Sequence, residues 1–270
     1  LHPNEIQESG EMEQHIKFQD GESYEKWMGV WSQLVGNQFL RWLAPDQGKT
    51  WIDIGCGNGT FTEQIYDRHD AAEIHAIDPS REQIDFASKR IIDSNVSFQV
   101  GNALNLTFEA DRFDYATMAL VLFFVPDPAA GVAEMKRVVK PGGSISAYVW
   151  DLPGGGVPFG VINAQMRSLD IKQPTAPSAE ISSMDRLEET WLEAGLNEVE
   201  VTKISVDRTF ENFEQFWAIS YLSPPIGAVL SQLPAGVGQQ VKKMTQEALA
   251  VDDNQPVTIN GFANAIKGTA

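Results

Sequence analysis

The stretch Asp53-Ile54-Gly55-Cys56-Gly57-Asn58-Gly59 joins a short apolar run, Thr50–Ile54, to a segment with helical spacing, Thr60–Arg68. Three glycines within five residues let the backbone turn sharply and come close to a ligand that side chains would exclude. In open α/β sheets, ligands bind at the carboxyl ends of the strands, and this loop follows such an end. The stretch therefore predicts a ligand-binding turn after the first strand of a sheet, the alternative being a tight turn without a ligand.

Strand-like and helix-like segments alternate after this loop. The predicted strands are Thr50–Ile54, Glu73–Asp78, Val96–Val100, Asp114–Leu122, Ser144–Trp150, Glu198–Phe210 and Pro256–Lys267. The predicted helices between them are Thr60–Arg68, Ser80–Asp93, Asp127–Val139 and Ser182–Ala194. This alternation predicts the α/β class, with a doubly wound, mainly parallel sheet and right-handed crossovers.

The flanks of this alternating core differ from it in composition. Residues 1–23 are polar and acidic, so we expect a flexible N-terminus there. Residues 24–44 carry apolar side chains at helical spacing and predict an N-terminal helix. Residues 151–181 are rich in glycine and proline and predict a variable loop, whereas 211–250 predict a helical insert or lid. We expect residues 24–270 to form a single domain.

Composition and charge narrow the function classes. The chain has 270 residues and a net charge of −17, which argues against nucleic-acid or anionic membrane partners because both require a basic surface. It has no run of eighteen apolar residues, so we expect no membrane span. Its polar start does not resemble a signal peptide. The single cysteine, Cys56, rules out an internal disulfide and a multi-cysteine metal site, and it favours a reducing cytoplasm.

Three kinds of nucleotide site place glycines in such a loop. A P-loop requires a Lys and a Ser or Thr after its glycines, but Thr60-Phe61-Thr62 follows here. An NAD-type loop has the spacing G-x-G-x-x-G, and counted from Gly55 its third glycine position is Thr60. The spacing present is G-x-G-x-G, with Asp53 two residues before the first glycine. This pattern resembles class I S-adenosylmethionine-dependent methyltransferases.

Four further motifs extend the resemblance in chain order. Asp78 ends the second predicted strand, where a carboxylate can accept both ribose hydroxyls, although it could also be a turn or cap residue. Gly101-Asn102-Ala103 stands where the family usually has Gly-Asp-Ala, and the amide oxygen of Asn102 can still accept a hydrogen bond from the adenine amine. Met118–Val121 resembles the segment under the methionine portion, and Val138–Ser144 resembles the family's helix-to-strand turn.

The closer resemblance is to the small-molecule methyltransferases of the ubiquinone and menaquinone type, the type 11 group. Tyr24–Arg41, Phe213–Trp217 and Ala263–Gly268 are similar to the terminal segments of one bacterial branch. Val30 stands where that branch often has Arg, which puts a carboxylate clamp at this position in question. The resemblance implies a Rossmann-like, seven-stranded sheet, mostly parallel, with the last strand antiparallel and residues 50–150 as the cofactor-binding core.

The resemblance also implies the members of a cofactor site for S-adenosylmethionine, with S-adenosylhomocysteine as product. The expected cofactor-binding residues are Asp53, Gly55, Cys56, Gly57, Asn58, Gly59, Asp78, Pro79, Asn102, Ala103, Leu104, Ala119, Leu120, Tyr24 and Trp31. The expected acceptor pocket consists of aromatic side chains, which suit a planar or apolar molecule: Trp27, Phe123, Phe124, Trp150 and Phe159. The alternative, equally open, is that these are ordinary core aromatics.

The predicted function is methyl transfer to a small-molecule O, N or C nucleophile by in-line displacement. A base is needed only if that nucleophile must lose a proton, and Asp151, directly after the fifth strand, is the candidate. We expect no metal, and either a monomer or a homodimer. Two alternatives stay open: a module that binds S-adenosylmethionine without transferring methyl, and an NAD-type oxidoreductase.

Overall fold

The computed structural model describes residues 25–234, 236–252 and 254–270. The expected flexible N-terminus, 1–23, and the candidate Tyr24 lie outside these residues. The strands of the described part are β1 Thr50–Ile54, β2 Glu73–Asp78, β3 Val96–Val100, β4 Phe113–Ala119, β5 Val139–Trp150, β6 Asn197–Phe210 and β7 Val257–Thr269.

All seven strands belong to one sheet, in the order β3-β2-β1-β4-β5-β7-β6. Strands β1 to β5 pair in parallel, whereas β7 runs antiparallel to both β5 and β6. The prediction of a mostly parallel seven-stranded sheet with an antiparallel last strand is thus confirmed. The chain order reverses between β1 and β4, and the crevice above such a reversal is where open α/β sheets bind ligands.

Helices cover the sheet and are closed by recognisable caps. They are α1 Val30–Leu43, α2 Thr60–His69, α3 Arg81–Arg90, α4 Pro128–Val138, α5 Gly160–Ser168, α6 Met184–Glu193, α7 Phe213–Tyr221, α8 Val229–Ser231 and α9 Val237–Leu249. Ser80 caps α3 by accepting a hydrogen bond from the Gln83 backbone N–H at 3.3 Å. Asp127 caps α4 in the same way through Ala130 at 3.0 Å.

Four short turns complete the frame. Two are π-helical, Glu25–Gly29 before α1 and Pro224–Ala228 after α7. Two are 3-10 turns, Leu122–Phe124 and Ala179–Ser182. No helix in the described ranges combines the length and the apolarity needed to cross a membrane.

Two predicted boundaries around β4 and β5 differ from the structure. Strand β4 ends at Ala119 rather than Leu122, because Leu120 adopts a left-handed backbone with φ 61° and the chain then enters a 3-10 turn. Strand β5 begins at Val139 rather than Ser144, so the expected turn Pro141-Gly142-Gly143 lies within the strand. Val139 pairs with Phe113, and an irregularity in the register absorbs this turn.

Aromatic packing fixes α1 against the sheet. Phe39 of α1 is fully buried and lies 4.7 Å from the ring of Tyr148 on β5 and 6.0 Å from Phe61 on α2, between centroids. Burying a side chain of this size stabilises the fold by roughly 1.5–3 kcal/mol. This packing places the turn Glu25–Gly29, which precedes α1, beside the carboxyl ends of the strands.

Candidate functional site

A cavity of about 670 Å³ lies at the carboxyl ends of β1, β2 and β4. The sequence-predicted cofactor residues that line it are Asp53, Gly55, Cys56, Gly57, Asn58, Asp78, Pro79, Ala119 and Leu120. Val121, from the segment expected under the methionine portion, also lines it. Lining residues that the sequence did not indicate are Ser32, Thr60, Phe61, Ser80, Glu82, Gln83, Tyr148 and Pro177. We call this space the glycine-loop cavity.

The glycine loop is tied to the neighbouring strand by its own backbone. The N–H groups of Gly55 and Cys56 both donate to the carbonyl of Ile77, at 2.7 and 2.9 Å. Gly55 has φ 77°, and a Cβ there would lie 2.6 Å from the side chain of Val121. Gly57 has φ 53° and faces open space, so its backbone is bare toward the cavity. The loop thus offers a ligand backbone atoms where side chains would stand in the way.

Asp78 closes the loop from the end of β2. Its Oδ2 accepts a hydrogen bond from the Gly57 N–H at 3.0 Å, and its Oδ1 accepts one from Ser80 N–H at 2.9 Å. Burial raises the pKa of this carboxyl above its ordinary value. Each oxygen keeps accepting capacity, and the side chain lines the cavity, so Asp78 can receive two hydroxyl donors of a ligand.

Asp53 is fully buried beneath the same cavity. Its Oδ2 accepts a hydrogen bond from the Thr62 hydroxyl at 2.6 Å, but its Oδ1 has no hydrogen-bond partner among the described residues. Burial raises the pKa of Asp53 to about 7, against the hydrogen bond from Thr62 and with help from the charge of Asp78. A cationic ligand group at Oδ1 would satisfy an acceptor that no described residue satisfies.

Ser32 brings a second unsatisfied group to this cavity from α1. Its hydroxyl is buried, has no hydrogen-bond partner among the described residues, and lines the space that Asp53 lines. Cys56 lies nearby with a pKa raised by burial, so its thiol stays protonated and serves packing rather than nucleophilic attack. A cavity carboxylate with spare accepting capacity, a bare glycine backbone and a buried carboxylate oxygen without a partner among the described residues are chemically suited to an adenosyl amino acid.

The turn Glu25–Gly29 is fastened to the glycine loop. Oε2 of Glu25 accepts hydrogen bonds from Asn58 Nδ2 at 2.5 Å and from Arg90 Nη2 at 3.0 Å. Arg90 also donates to the Asn58 carbonyl at 3.1 Å and to Glu63 at 2.7 Å. The sequence does not predict this network. Glu25 is separated from Asn58 by 33 positions and from Arg90 by 65, and no local pattern links residues so far apart.

A second cavity, of about 950 Å³, adjoins the first and shares Leu120 and Phe124 with it. All five aromatic residues predicted for the acceptor pocket line it: Trp27, Phe123, Phe124, Trp150 and Phe159. The rings of Trp27 and Phe159 lie 5.3 Å apart, which joins the N-terminal turn to the start of α5. We call this space the aromatic cavity.

Leu120 sits at the junction of the two cavities in a conformation that leucine rarely adopts. Its φ of 61° is left-handed, which costs a residue with a Cβ roughly 1–2 kcal/mol. The Leu120 N–H donates to the Tyr148 carbonyl at 2.8 Å, and this bond to β5 holds the conformation in place. Backbone strain of this kind is concentrated at binding and catalytic sites.

Several predicted cofactor residues lie outside the lining of both cavities. Asn102 is exposed, and its amide oxygen accepts a hydrogen bond from the Leu104 N–H at 2.9 Å, so the oxygen is engaged within its own turn. Ala103 and Leu104 share that turn. Trp31 is buried and packs against Phe210 with 6.5 Å between centroids. Their binding roles stay predictions.

The positions of Gly59 and Asp151 are explained by local structure. Gly59 starts α2 with φ 83°, and a Cβ there would lie 3.0 Å from the Cβ of Ala87 on α3. Oδ1 of Asp151 accepts a hydrogen bond from Gly154 N–H at 2.7 Å and thereby closes its own turn. Asp151 lines neither cavity, so its role as a base is a prediction without a contact to support it.

The histidines of the described ranges lie outside the lining of both cavities. Of the two histidines in the described ranges, His75 bonds with Ser97 and Glu73 on the sheet, and His69 ends α2. Neither lines a cavity. Across the described residues, no cluster of three or more His, Cys, Asp or Glu side chains is placed to hold a metal ion.

Comparison with known proteins finds a family match for the central part of the chain. Residues 52–147 match the family described as "Methyltransferase domain", type 11. The demethylmenaquinone methyltransferase of Bacillus licheniformis is 36% identical over 101 residues, which cover 37% of this chain and 44% of that protein. The chain spans about half the length of the curated relatives it matches.

Solved structures share the fold at low identity. The YcgJ protein of Bacillus subtilis superposes with a TM-score of 0.59 at 18% identity, covering 89% of this chain and 98% of that one. Phosphoethanolamine N-methyltransferase 2 of Haemonchus contortus was solved with phosphomonomethylethanolamine and S-adenosylhomocysteine. It superposes with a TM-score of 0.58 at 18% identity, covering 92% of this chain and 56% of that one. Residues 52–147 are thus similar to the type 11 methyltransferase domain, and the fold is shared with methyltransferases of known structure.

Proposed function

We propose that this protein is a methyltransferase of the type 11 group, and that it transfers the methyl group of S-adenosylmethionine to a planar or apolar small molecule bound in the aromatic cavity. The observation that carries the proposal is the meeting of two unlike cavities at Leu120 and Phe124. One has the polar groups of an adenosyl amino acid site, and the other is mainly apolar. A methyl donor in the first and an acceptor in the second would face each other across this junction.

The glycine-loop cavity would hold the cofactor through three of its own groups. Asp78 would accept the two ribose hydroxyls, and the bare backbone at Gly57 would allow the nucleoside to approach. The unpaired Oδ1 of Asp53 would accept a hydrogen bond from an N–H of the ammonium group. The bound cofactor supplies an already activated methyl group on a sulfonium.

The protein's contribution to the reaction would be positioning and the exclusion of water. Aligning donor and acceptor for in-line displacement converts an encounter of two molecules into a reaction within one complex. Leu120 and Phe124 line the junction with apolar side chains, which desolvates the reacting centre. An O, N or C nucleophile that is already ionised, or an amine that releases its proton to solvent after the transfer, needs no protein base in this arrangement.

The charge and cysteine content agree with such an enzyme. A net charge of −17 supports a small-molecule acceptor rather than a nucleic acid. The buried, single Cys56 supports a reducing, cytoplasmic setting.

Calorimetry with S-adenosylmethionine, S-adenosylhomocysteine and NAD tests the proposal directly. We expect both sulfur nucleosides to bind and NAD not to bind. Binding of NAD alone would contradict the proposal and favour an oxidoreductase. Turnover is then measured as S-adenosylhomocysteine release with a panel of aromatic phenols, amines and carbon acids. Cofactor binding without release for any acceptor would favour a module that binds the cofactor only.

A further inference from the structure

Two amide side chains interrupt the apolar lining of the aromatic cavity. Asn163 lies on α5, and Gln173 lies on the loop that follows it; both are half-buried and line the cavity. Gln173 Nε2 donates to Asn163 Oδ1 at 2.8 Å and to the carbonyl of Pro225 at 3.0 Å. The same nitrogen lies 3.3 Å from the sulfur of Met166.

The carbonyl of Pro225 fixes which way both amides face. A carbonyl can only accept, so the group of Gln173 that meets it must be the NH₂. That NH₂ also meets Asn163, which must therefore present its oxygen. Both protons of the Gln173 amide are thus used within the protein.

The opposite ends of the two amides remain available. Gln173 Oε1 and Asn163 Nδ2 make no hydrogen bond to any described residue, neither atom is fully buried, and both residues line the cavity. The pair therefore offers one acceptor and one donor, held by three elements: α5, the loop after it and the π-helical turn Pro224–Ala228.

The charges around the cavity balance. Arg167 and Lys172 carry positive charge at its rim, Asp170 and Glu180 carry negative charge, and all four side chains are exposed. The interior between them is aromatic and aliphatic. A buried charge on the ligand would have no counter-charge inside, which favours an uncharged occupant.

We propose that the acceptor is an uncharged, planar molecule carrying a neighbouring donor and acceptor, as in a lactam or a hydroxy-carbonyl group, recognised by Gln173 Oε1 and Asn163 Nδ2. This inference rests on the proposed function, because it identifies the occupant of the aromatic cavity as the methyl acceptor. Asn163 and Gln173 are binding residues that set specificity. A site built to pair with such a group discriminates strongly against a molecule that lacks it, because its own polar atoms then stay unpaired.

Calorimetry on wild-type protein saturated with S-adenosylhomocysteine tests the pairing. The probes are the tricyclic lactam phenanthridin-6(5H)-one, its N-methyl derivative, and the anion 2-naphthoate. We expect the lactam to bind about tenfold more tightly than the N-methyl derivative, which has lost the donor for Gln173 Oε1. We expect 2-naphthoate to bind more weakly than either.

Matched variants locate the discrimination. In Gln173→Met and Asn163→Leu, we expect the difference between the two lactams to fall below about twofold. Gln165→Met is the control, because Gln165 lies on the same helix but does not line the cavity. It should keep the wild-type difference. If a cavity variant does not fold, the wild-type comparison of the three probes decides alone.

The outcomes separate this inference from the proposed function. Failure of wild-type protein to bind S-adenosylhomocysteine would contradict the proposed function. Three outcomes would overturn the amide pairing alone, provided that S-adenosylhomocysteine binds normally. They are equal affinities for the two lactams, tightest binding of 2-naphthoate, and no binding of any probe at 1 mM.

Discussion

The glycine-loop cavity and the aromatic cavity are built in opposite ways. The first consists mainly of residues at the ends of neighbouring strands, and its shape follows from backbone torsions in one loop. The second is assembled from segments far apart in the chain, including the turns Glu25–Gly29 and Pro224–Ala228. The contrast teaches that a site formed by local backbone geometry can be recognised in a sequence. A site formed by tertiary packing can be recognised only in a three-dimensional structure.

The largest expected effect is a loss of cofactor affinity on substitution of Gly55. Comparison with a second glycine variant separates the effect of backbone strain from that of an obstructed cavity. Gly55→Val would place a branched side chain against Val121, where a Cβ alone would come within 2.6 Å. We expect affinity for S-adenosylmethionine to fall at least about a hundredfold, with a lower melting temperature, because the loop must move. Calorimetry and thermal denaturation measure the two effects.

Gly48→Val is the matched control for this change. Gly48 also has a left-handed φ, of 68°, but a Cβ there meets nothing within 4 Å, and the residue precedes β1. We expect it to lose roughly 1–2 kcal/mol of stability from strain and to keep its cofactor affinity. Equal affinities for the two variants would show that the glycine loop does not form the cofactor site.

The next effect concerns the carboxylate at the end of β2. Asp78→Ala should weaken binding of S-adenosylmethionine at least about tenfold, because two charge-assisted hydrogen bonds to the ribose are lost. Asp85→Ala, an exposed position on α3, is the control and should bind as wild type. A folded Asp78→Ala protein with wild-type affinity would remove Asp78 from the site.

A pH dependence should follow from Asp53. In the ligand-free protein its pKa is about 7, so the carboxyl is largely protonated at pH 6. Binding of an ammonium requires the ionised form, so affinity for S-adenosylmethionine should rise by up to about tenfold between pH 6 and pH 8, with release of a proton. Calorimetry in buffers of different ionisation enthalpy measures that release.

Stability of the ligand-free protein should change in the opposite direction. The pKa of Asp53 is raised in the folded state above its ordinary value of 3.8, so the folded state binds the proton more tightly. The free energy of unfolding therefore carries a contribution that is present below about pH 4 and is lost as the pH rises to about 7. Asp53→Asn should show neither dependence. Unchanged pH profiles in that variant would place the titration elsewhere.

The smallest effect tests the fastening of the N-terminal turn. Glu25→Ala removes the acceptor that joins Asn58 and Arg90, an ion pair that is only partly buried. We expect the dissociation rate of S-adenosylmethionine to rise about threefold, as for the loss of a partly exposed pair. Glu63→Ala removes the other partner of Arg90 without touching the turn, and it should leave the rate nearly unchanged. Equal rates in the two variants would deny the turn a role in retaining the cofactor.

The same contrast explains what the sequence could predict. Short strands with several apolar residues, such as β1 and β2, are encoded by adjacent residues, and the structure has them where they were predicted. The end of β4 was misplaced because nothing in the sequence marks Leu120 as left-handed. Proline and glycine after Val139 indicated a turn, but pairing with Phe113 draws them into β5.

Site residues divide along the same line. The glycine loop and Asp78 could be predicted to line a cavity, because strand order alone brings them to one edge. Asn102 follows β3 in the same pattern, yet its turn faces solvent. The contacts of Glu25 with Arg90 and of Gln173 with Pro225 depend on how distant segments pack, which single-sequence periodicity does not contain.

The left-handed backbone at Leu120 has a thermodynamic consequence for the pair of ligands. Because Leu120 lines both cavities, it is a common wall, and the Tyr148 carbonyl restrains its position. A shift of this wall by one ligand changes the space that the other finds. By thermodynamic linkage, if bound cofactor changes the affinity for the acceptor by some factor, bound acceptor changes the affinity for the cofactor by the same factor. Replacement of S-adenosylmethionine by its demethylated product would then change the affinity for the acceptor through one residue, Leu120.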